Sequence, residues 1–106
     1  KLKKLKIKIY KIPLDKNNNF FLKEILYKLK LLGFSRILLE SGIGLTTSFF
    51  RANLVNEFKL FVSDDKLKKA GAKSFKIPMN YFIKNKKKEI ENVNLHGDKL
   101  ITYRIR

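Results

Sequence analysis

The chain has 106 residues, 44% of them hydrophobic, so it is long enough to bury a core and too apolar for a disordered segment. It contains no cysteine, which excludes disulfides, thiolate metal sites and thiol catalysis. No apolar run approaches the roughly 18 residues of a membrane span, and charges interrupt the lysine-rich start too often for a signal peptide. We therefore expect a cytoplasmic protein.

The first third of the chain predicts one strand and one helix. Residues 4–12 alternate between apolar side chains and lysines, which is typical of a half-buried strand, and Pro13 ends it. Residues 21–32 carry a wide apolar stripe at helical spacing, which predicts an amphipathic helix that packs against the core. Asn18 or Asn19 is the predicted N-cap, and Gly33 supplies a left-handed residue after the helix.

Residues 36–52 predict a strand, a glycine turn and a helix, around which the rest of the chain is organised. Residues 37–39 are apolar throughout, as in a strand covered on both faces. The turn, residues 41–44, contains two glycines. The helix that follows places on one face Leu45, Ser48, Phe49 and Ala52.

This arrangement favours an anion. Glycine lets the backbone approach a ligand closely, and the first free N–H groups of a helix attract negative charge. Thr46, Thr47 and Ser48 add hydroxyl donors in the first turn, where a phosphate can be held. The alternative is structural, because any α/β protein needs a glycine to turn from a strand into a helix, and short glycine motifs often occur by chance.

The second half of the chain predicts three strands joined by polar segments. Residues 57–62 alternate as a strand, and residues 89–95 and 99–106 predict a hairpin. The buried face of the hairpin is expected to be Ile101, Tyr103 and Ile105. The connecting segments are predicted as a charged loop at residues 64–76, a turn or short extended piece at residues 78–82, and a solvated run of charge at residues 84–88.

Neither the acidic pair nor the single histidine of this half predicts a catalytic or metal site. Asp64 and Asp65 are flanked by lysines, which indicates solvated surface, whereas a hard-cation site needs several converging oxygens. His96 lies beside the turn glycine and has no Ser or Asp partner at a suitable spacing, so we expect a loop residue and not an acid–base catalyst.

The predicted order is strand, helix, strand, helix, strand and a C-terminal hairpin. Right-handed crossovers make the first three strands parallel, so we predict an α/β fold with a mixed sheet and an antiparallel edge. Ligands of such sheets bind at the carboxyl ends of the strands, where residues 40–44 fall.

Residues 37–63, ILLESGIGLTTSFFRANLVNEFKLFVS, resemble the second half of the reductase domain of the bifunctional riboflavin-biosynthesis deaminase–reductase (RibD) family. That family has a strand ending in Glu-Gly-Gly, then a helix, then a Leu-Val-Asp-Glu-Leu run into the next strand. The matching positions here are Glu40, Gly42, Leu45, Ser48, Phe49, Leu54, Val55 and Glu57. The preceding helix and the closing hairpin are also similar, so the resemblance spans essentially the whole chain.

The resemblance implies a dihydrofolate-reductase-like fold, with a mixed sheet flanked by helices and a C-terminal antiparallel hairpin. The family's domain binds NADPH and reduces the ribosyl group of a phosphorylated ribosylaminopyrimidine to ribityl. By position, Glu40 would contact this substrate. The residues that would line the cofactor's diphosphate are Gly42, Ile43, Gly44, Leu45, Thr46, Thr47 and Ser48. Since the family's reductase domains pair through their sheets, the resemblance also implies a homodimer.

The chain departs from the family in two respects. Ser41 and Ile43 stand where the family has a glycine and commonly a proline. The first half of the family's reductase domain and its zinc deaminase domain have no counterpart in these residues. Residues 1–106 are therefore expected to be the C-terminal half of the reductase domain, an incomplete domain that is inactive alone.

Two alternatives stay open. Arg36 and Glu40 share one face of the predicted strand, and a salt bridge between them would give Glu40 a structural role. The net charge of +16 suggests a basic nucleic-acid-binding module without enzymatic activity. Against that function, 21 of the 25 basic residues are lysine, whereas arginine is the residue that clamps phosphates and reads bases. A/T-rich codons explain the lysine excess about as well.

Overall fold

A computed structural model of the chain describes residues 3–64 and 76–106, which fall into two compact units, Lys1–Glu40 and Ser41–Arg106. The coarse expectation of a mixed α/β protein is confirmed. In chain order the regular elements are a 3₁₀ turn at Lys3–Leu5, α1 at Leu22–Leu31, α2 at Ile43–Arg51, β1 at Glu57–Val62, α3 at Lys76–Ile83, β2 at Lys87–Asn92 and β3 at Lys99–Arg104.

The helix α1 of the first unit is confirmed to within one residue at each end. It ends as predicted at Gly33, whose φ of 94° is left-handed. The N–H of Gly33 donates to the carbonyl of Lys30 at 2.9 Å, and the N–H of Phe34 donates to the carbonyl of Leu29 at 3.1 Å. These two bonds satisfy carbonyls that the last turn leaves without helical partners.

The predicted N-caps of α1, Asn18 and Asn19, are wrong, because the N-cap is Phe21 and no side chain caps it. The polar run instead closes a turn of its own. Asp15 Oδ1 accepts the backbone N–H groups of Asn17 at 2.8 Å and of Asn19 at 2.9 Å. An aspartate that bonds to the backbone ahead of it stabilises a tight turn rather than a helix start.

The two strands predicted in the first unit, residues 4–12 and 37–39, are both absent. Lys3–Leu5 is a 3₁₀ turn, and residues 34–40 have no regular structure. Their apolar side chains are exposed, Leu5 at 65% and Leu38 at 78%. A strand needs a neighbour that pairs with its backbone, and within the described ranges neither segment has one.

The second unit contains a three-stranded sheet in the order β1-β3-β2, with both pairs antiparallel. The predicted strand at 57–62 and the C-terminal hairpin are confirmed. The prediction of three parallel strands is wrong, because only one of those three segments is a strand in the described residues. In the observed register Tyr103 of β3 lies between Phe58 of β1 and Lys88 of β2.

Two helices cover the apolar face of this sheet around the Phe50 ring. Phe50 of α2 is 6% exposed, and its ring stacks on Phe82 of α3 at 5.0 Å and meets Phe58 edge-on at 5.4 Å. The face predicted for α2 is therefore wrong, since Leu45 and Ser48 are exposed. The turn or extended piece predicted at residues 78–82 is also wrong, because α3 places Met79, 2% exposed, one helical turn before Phe82.

The strands β1 and β2 form the two edges of the sheet. The carbonyl of Asn56 accepts the backbone N–H of Ile105 at 2.9 Å, which fixes the alternation along β1. The backbone groups of Glu57, Lys59 and Phe61 therefore point away from β3. None of the described residues pairs with this outer edge.

The turn between β2 and β3 is closed by side chains. Asn94 Oδ1 accepts the backbone N–H of His96 at 2.9 Å, and Asn94 Nδ2 donates to Asp98 Oδ2 at 2.7 Å. Asp98 Oδ1 also accepts the backbone N–H of Asp64 at 3.2 Å. These donors, Asn94 first, lower the pKa of Asp98 below its ordinary value of 3.8. His96 lies exposed in this turn, so the prediction of a loop residue is confirmed.

We expect Phe50→Ala to destabilise the second unit by about 3 kcal/mol, because it removes a buried ring and leaves a cavity between two helices and the sheet. The measurement is the unfolding midpoint in urea. Leu95→Ala is the control, because Leu95 in the hairpin turn is fully exposed and its truncation should cost less than about 0.5 kcal/mol. Equal losses from the two variants would contradict this description of the core.

We expect Asp98→Asn to destabilise the hairpin at neutral pH but not in acid. A carboxylate with a lowered pKa stabilises the fold fully above its ordinary value of 3.8, and this contribution is lost as the pH falls through the lower folded value. Urea midpoints of the parent and the variant should differ at about pH 7 and converge at about pH 2. Asn94→Ala should reduce the same pH-dependent difference. A gap that does not change with pH would contradict the assignment.

Candidate functional site

The N-terminus of α2 is the part of the predicted site with a defined geometry. Gly42 is the N-cap, with φ −67° and ψ 169°, and Thr46 donates the first helical bond, to the Gly42 carbonyl at 3.2 Å. The N–H groups of Ile43, Gly44 and Leu45 precede any helical acceptor. No side chain caps them, and the first turn has no acidic residue. Their partial positive charge makes this terminus a favourable place for an anion.

The hydroxyl groups of this turn are mostly engaged with the helix itself. Thr47 Oγ1 donates to the Ile43 carbonyl at 2.7 Å, and Ser48 Oγ donates to the Gly44 carbonyl at 3.1 Å. Both side chains can therefore offer a ligand only their oxygen lone pairs in this conformation. Thr47 and Ser48 are therefore not the free hydroxyl donors that the sequence predicts.

Ser41, which stands where the family has a glycine, is a polar partner in this turn that the sequence does not predict. Its Oγ lies 2.9 Å from Thr46 Oγ1, so one hydroxyl donates to the other. Ser41 Oγ also lies 3.4 Å from the Gly42 carbonyl, to which it can donate, and Thr46 is then the donor to Ser41. The Thr46 proton remains for a ligand when Ser41 donates to Thr46 instead. In the sequence, this pair is a serine followed five residues later by a threonine, with the start of a helix between them. That pattern is too common to identify a site by itself.

The two glycines of the turn leave open space above the helix N-terminus. Gly42 has an ordinary negative φ, and a Cβ added at Gly42 or at Gly44 would meet no neighbouring atom within 4 Å. Glycine is not required here to turn a strand into a helix, because no strand precedes the turn in the described residues and neither glycine has a positive φ. Side chains at these positions would extend into space that a ligand could occupy.

Glu40, the predicted substrate residue, is exposed and lies in the irregular segment 34–40. It is the last residue of the first unit, and the predicted cofactor residues begin the second unit. The salt bridge considered between Arg36 and Glu40 is absent, since the ion pairs among the described residues are Lys59 with Glu57 and Arg104 with Glu89.

The described residues include neither a cluster of metal ligands nor a membrane-spanning helix. In the described ranges, no group of three or more His, Cys, Asp or Glu side chains converges. Asp64 is exposed beside the hairpin turn, whereas Asp65 and most of the predicted 64–76 loop lie outside the described residues. No helix among residues 3–64 and 76–106 has the length and apolarity to cross a lipid bilayer.

Comparisons with known proteins do not identify a family for this chain. The chain matches no family model, no curated protein sequence and no solved structure.

Proposed function

We propose that this chain is the cofactor-binding half of an NADPH-dependent reductase of riboflavin biosynthesis, which reduces a phosphorylated ribosylaminopyrimidine to its ribityl form. The observation that carries the proposal is the uncapped N-terminus of α2, which begins inside the stretch that resembles the RibD reductase domain. A dinucleotide diphosphate is doubly negative, and three free N–H groups with open space above Gly42 and Gly44 suit such a ligand.

The residues of this turn would divide the binding between them. The N–H groups of Ile43, Gly44 and Leu45 would hold diphosphate oxygens, and the Thr46 hydroxyl would donate one further bond. NADPH supplies the hydride, so the protein needs to orient two ligands and does not need a nucleophile. Glu40 would accept hydrogen bonds from a sugar hydroxyl of the substrate. The complete domain would have a dihydrofolate-reductase-like fold, and the protein would be located in the cytoplasm.

The outer edge of β1 offers a way to form the proposed homodimer. Its free backbone groups belong to Glu57, Lys59 and Phe61, so two copies can pair antiparallel with Lys59 opposite the partner's Phe61. In that register the two Leu60 residues face each other at the two-fold axis. The exposed ring of Phe61, 71% accessible, would then lie over the lysine stem of the partner.

We expect Gly42→Asp to weaken NADPH binding on the order of tenfold, because it places a negative charge at the proposed diphosphate site. The fold should be unaffected, since aspartate is a good N-cap and a Cβ at Gly42 meets no atom within 4 Å. Fluorescence titration of the 106-residue chain with NADPH measures the affinity.

Gly42→Asn is the matched control for this titration, because it has the same size and caps the helix without charge. Both variants fill the space above the helix and cap its N–H groups, so the difference between them isolates the charge, and Gly42→Asn should bind NADPH more tightly than Gly42→Asp. Equal affinity for NADPH in the parent and in Gly42→Asp would show that the α2 N-terminus is not the diphosphate site.

We expect the chain to sediment as a dimer and Phe61→Lys to shift it to the monomer, because the new lysine would lie opposite Lys59 of the other copy. Ile90→Lys makes the same change on the other edge of the sheet, at a residue that is 53% exposed, and should leave the dimer intact. Sedimentation velocity over a range of concentrations is the measurement. A parent chain that is monomeric at every concentration would rule out the dimer.

A further inference from the structure

The turn between α3 and β2 carries a basic surface that the proposed reductase activity does not use. Two neighbouring cavities, of about 480 and 470 Å³, open here, and Lys84 and Lys86 line both of them. Lys88 lines the first cavity beside Tyr103, its neighbour across the sheet. No carboxylate is present among the described residues that line either cavity, so the positive charge at this surface is not locally neutralised.

The fold orders the backbone that carries these lysines. α3 ends at Ile83, and Asn85, at a φ of 61°, redirects the chain toward β2. The backbone N–H of Lys86 donates to the Ile83 carbonyl at 3.1 Å, and its Nζ donates to the Ile105 carbonyl at 3.1 Å. The turn is thus anchored to the helix at one end and to the residue after β3 at the other. Lys84 projects from this ordered turn, and Lys88 projects from the start of β2.

An exposed aromatic ring adjoins the same surface. Tyr81 is 82% exposed and lines the second cavity together with Lys84 and Asn85. Its ring makes a T-shaped contact with the ring of Phe82 at 5.3 Å, and most of its surface remains exposed. A large aromatic side chain that is oriented but uncovered beside lysines is the arrangement with which proteins stack unpaired bases.

We propose that this surface binds single-stranded nucleic acid. The lysines would contact the phosphates, Tyr81 would stack on a base, and the amides of Asn80 and Asn85 in the cavity walls would offer donors and acceptors to a base edge. Binding of this kind tolerates many sequences and relies on charge and stacking, so it does not require arginine. The exposed tyrosine ring beside the lysines favours a strand with unpaired bases over an anionic membrane, which offers nothing for the ring to stack on.

The test is the salt dependence of binding by the 106-residue chain to labelled oligouridylate and oligothymidylate of about 12 nucleotides, which is within the site size of a small domain. We expect Lys84→Gln with Lys88→Gln to reduce the slope of log affinity against log salt by about 1.4, or about 0.7 for each lost phosphate contact. Lys23→Gln with Lys30→Gln on α1 removes the same charge and should not change the slope. If one of the two oligonucleotides binds more tightly, it identifies RNA or DNA as the preferred ligand.

A second set of variants tests the stacking of Tyr81 on a base. Tyr81→Ala should lower the affinity at least about fivefold, and Tyr81→Phe should retain it, because stacking needs the ring and not the hydroxyl. Tyr27→Ala on α1, where Tyr27 is 58% exposed, is the control and should have no effect. Circular dichroism checks that each variant is folded.

Three outcomes would overturn the proposal. Equal slope changes in the two lysine pairs would show that diffuse charge binds the strand. Unchanged affinity in Tyr81→Ala would remove the stacking contact. Binding to phosphatidylserine vesicles that depends on Lys84 and Lys88, with oligonucleotide binding indifferent to them, would assign the surface to membranes. Because this surface is separate from the α2 N-terminus, Gly42→Asp should leave oligonucleotide affinity unchanged, so the two proposals fail independently.

Discussion

The second unit depends on the packing of one aromatic ring. Phe50 stacks on Phe82 and meets Phe58 edge-on, so a single side chain joins α2, α3 and the sheet. The buried hydrophobic residues of the described ranges are Phe50, Met79 and Tyr103, and so small a core has little redundancy. The α2 N-terminus and the lysine turn after α3 both belong to helices held by this cluster. The geometry of both proposed sites therefore depends on the same contact.

The features that the sequence predicts correctly are those that local patterns specify. The apolar stripe of α1, its end at Gly33, the alternation of β1 and the C-terminal hairpin can each be read from a short window. The predicted strands at residues 4–12 and 37–39 are wrong because a strand depends on a distant partner, which no local pattern reveals. The buried face of α2 is misassigned for a similar reason, since Phe50 is buried by its contact with Phe82, more than thirty residues away in the sequence.

In the candidate sites, the sequence predicts the element that carries a residue but not the contacts of its side chain. The glycine and hydroxyl pattern places the predicted anion site at a helix start, and the structure has a helix there, beginning at Ile43. The pairing of Ser41 with Thr46, and the donation of Thr47 to its own helix, depend on rotamers that the pattern does not determine. The sequence likewise shows that residues 84–88 are charged, but not that Lys84 shares a cavity with Tyr81.

Each α-helix that the structure describes ends in the same way, with a left-handed residue two positions beyond its last helical residue. This residue is Gly33 after α1, Asn53 after α2 and Asn85 after α3, with φ of 94°, 55° and 61°. Asparagine tolerates this region, but it has a Cβ and is therefore less suited to it than glycine, by up to about 1 kcal/mol. The left-handed residues after α2 and α3 are thus positions at which substitution could increase stability. Glycine at either position would shorten no helix and would relieve the cost of a Cβ in this region. Asn53 is the better choice of the two, because glycine at Asn85 would also remove an amide of the proposed nucleic-acid surface.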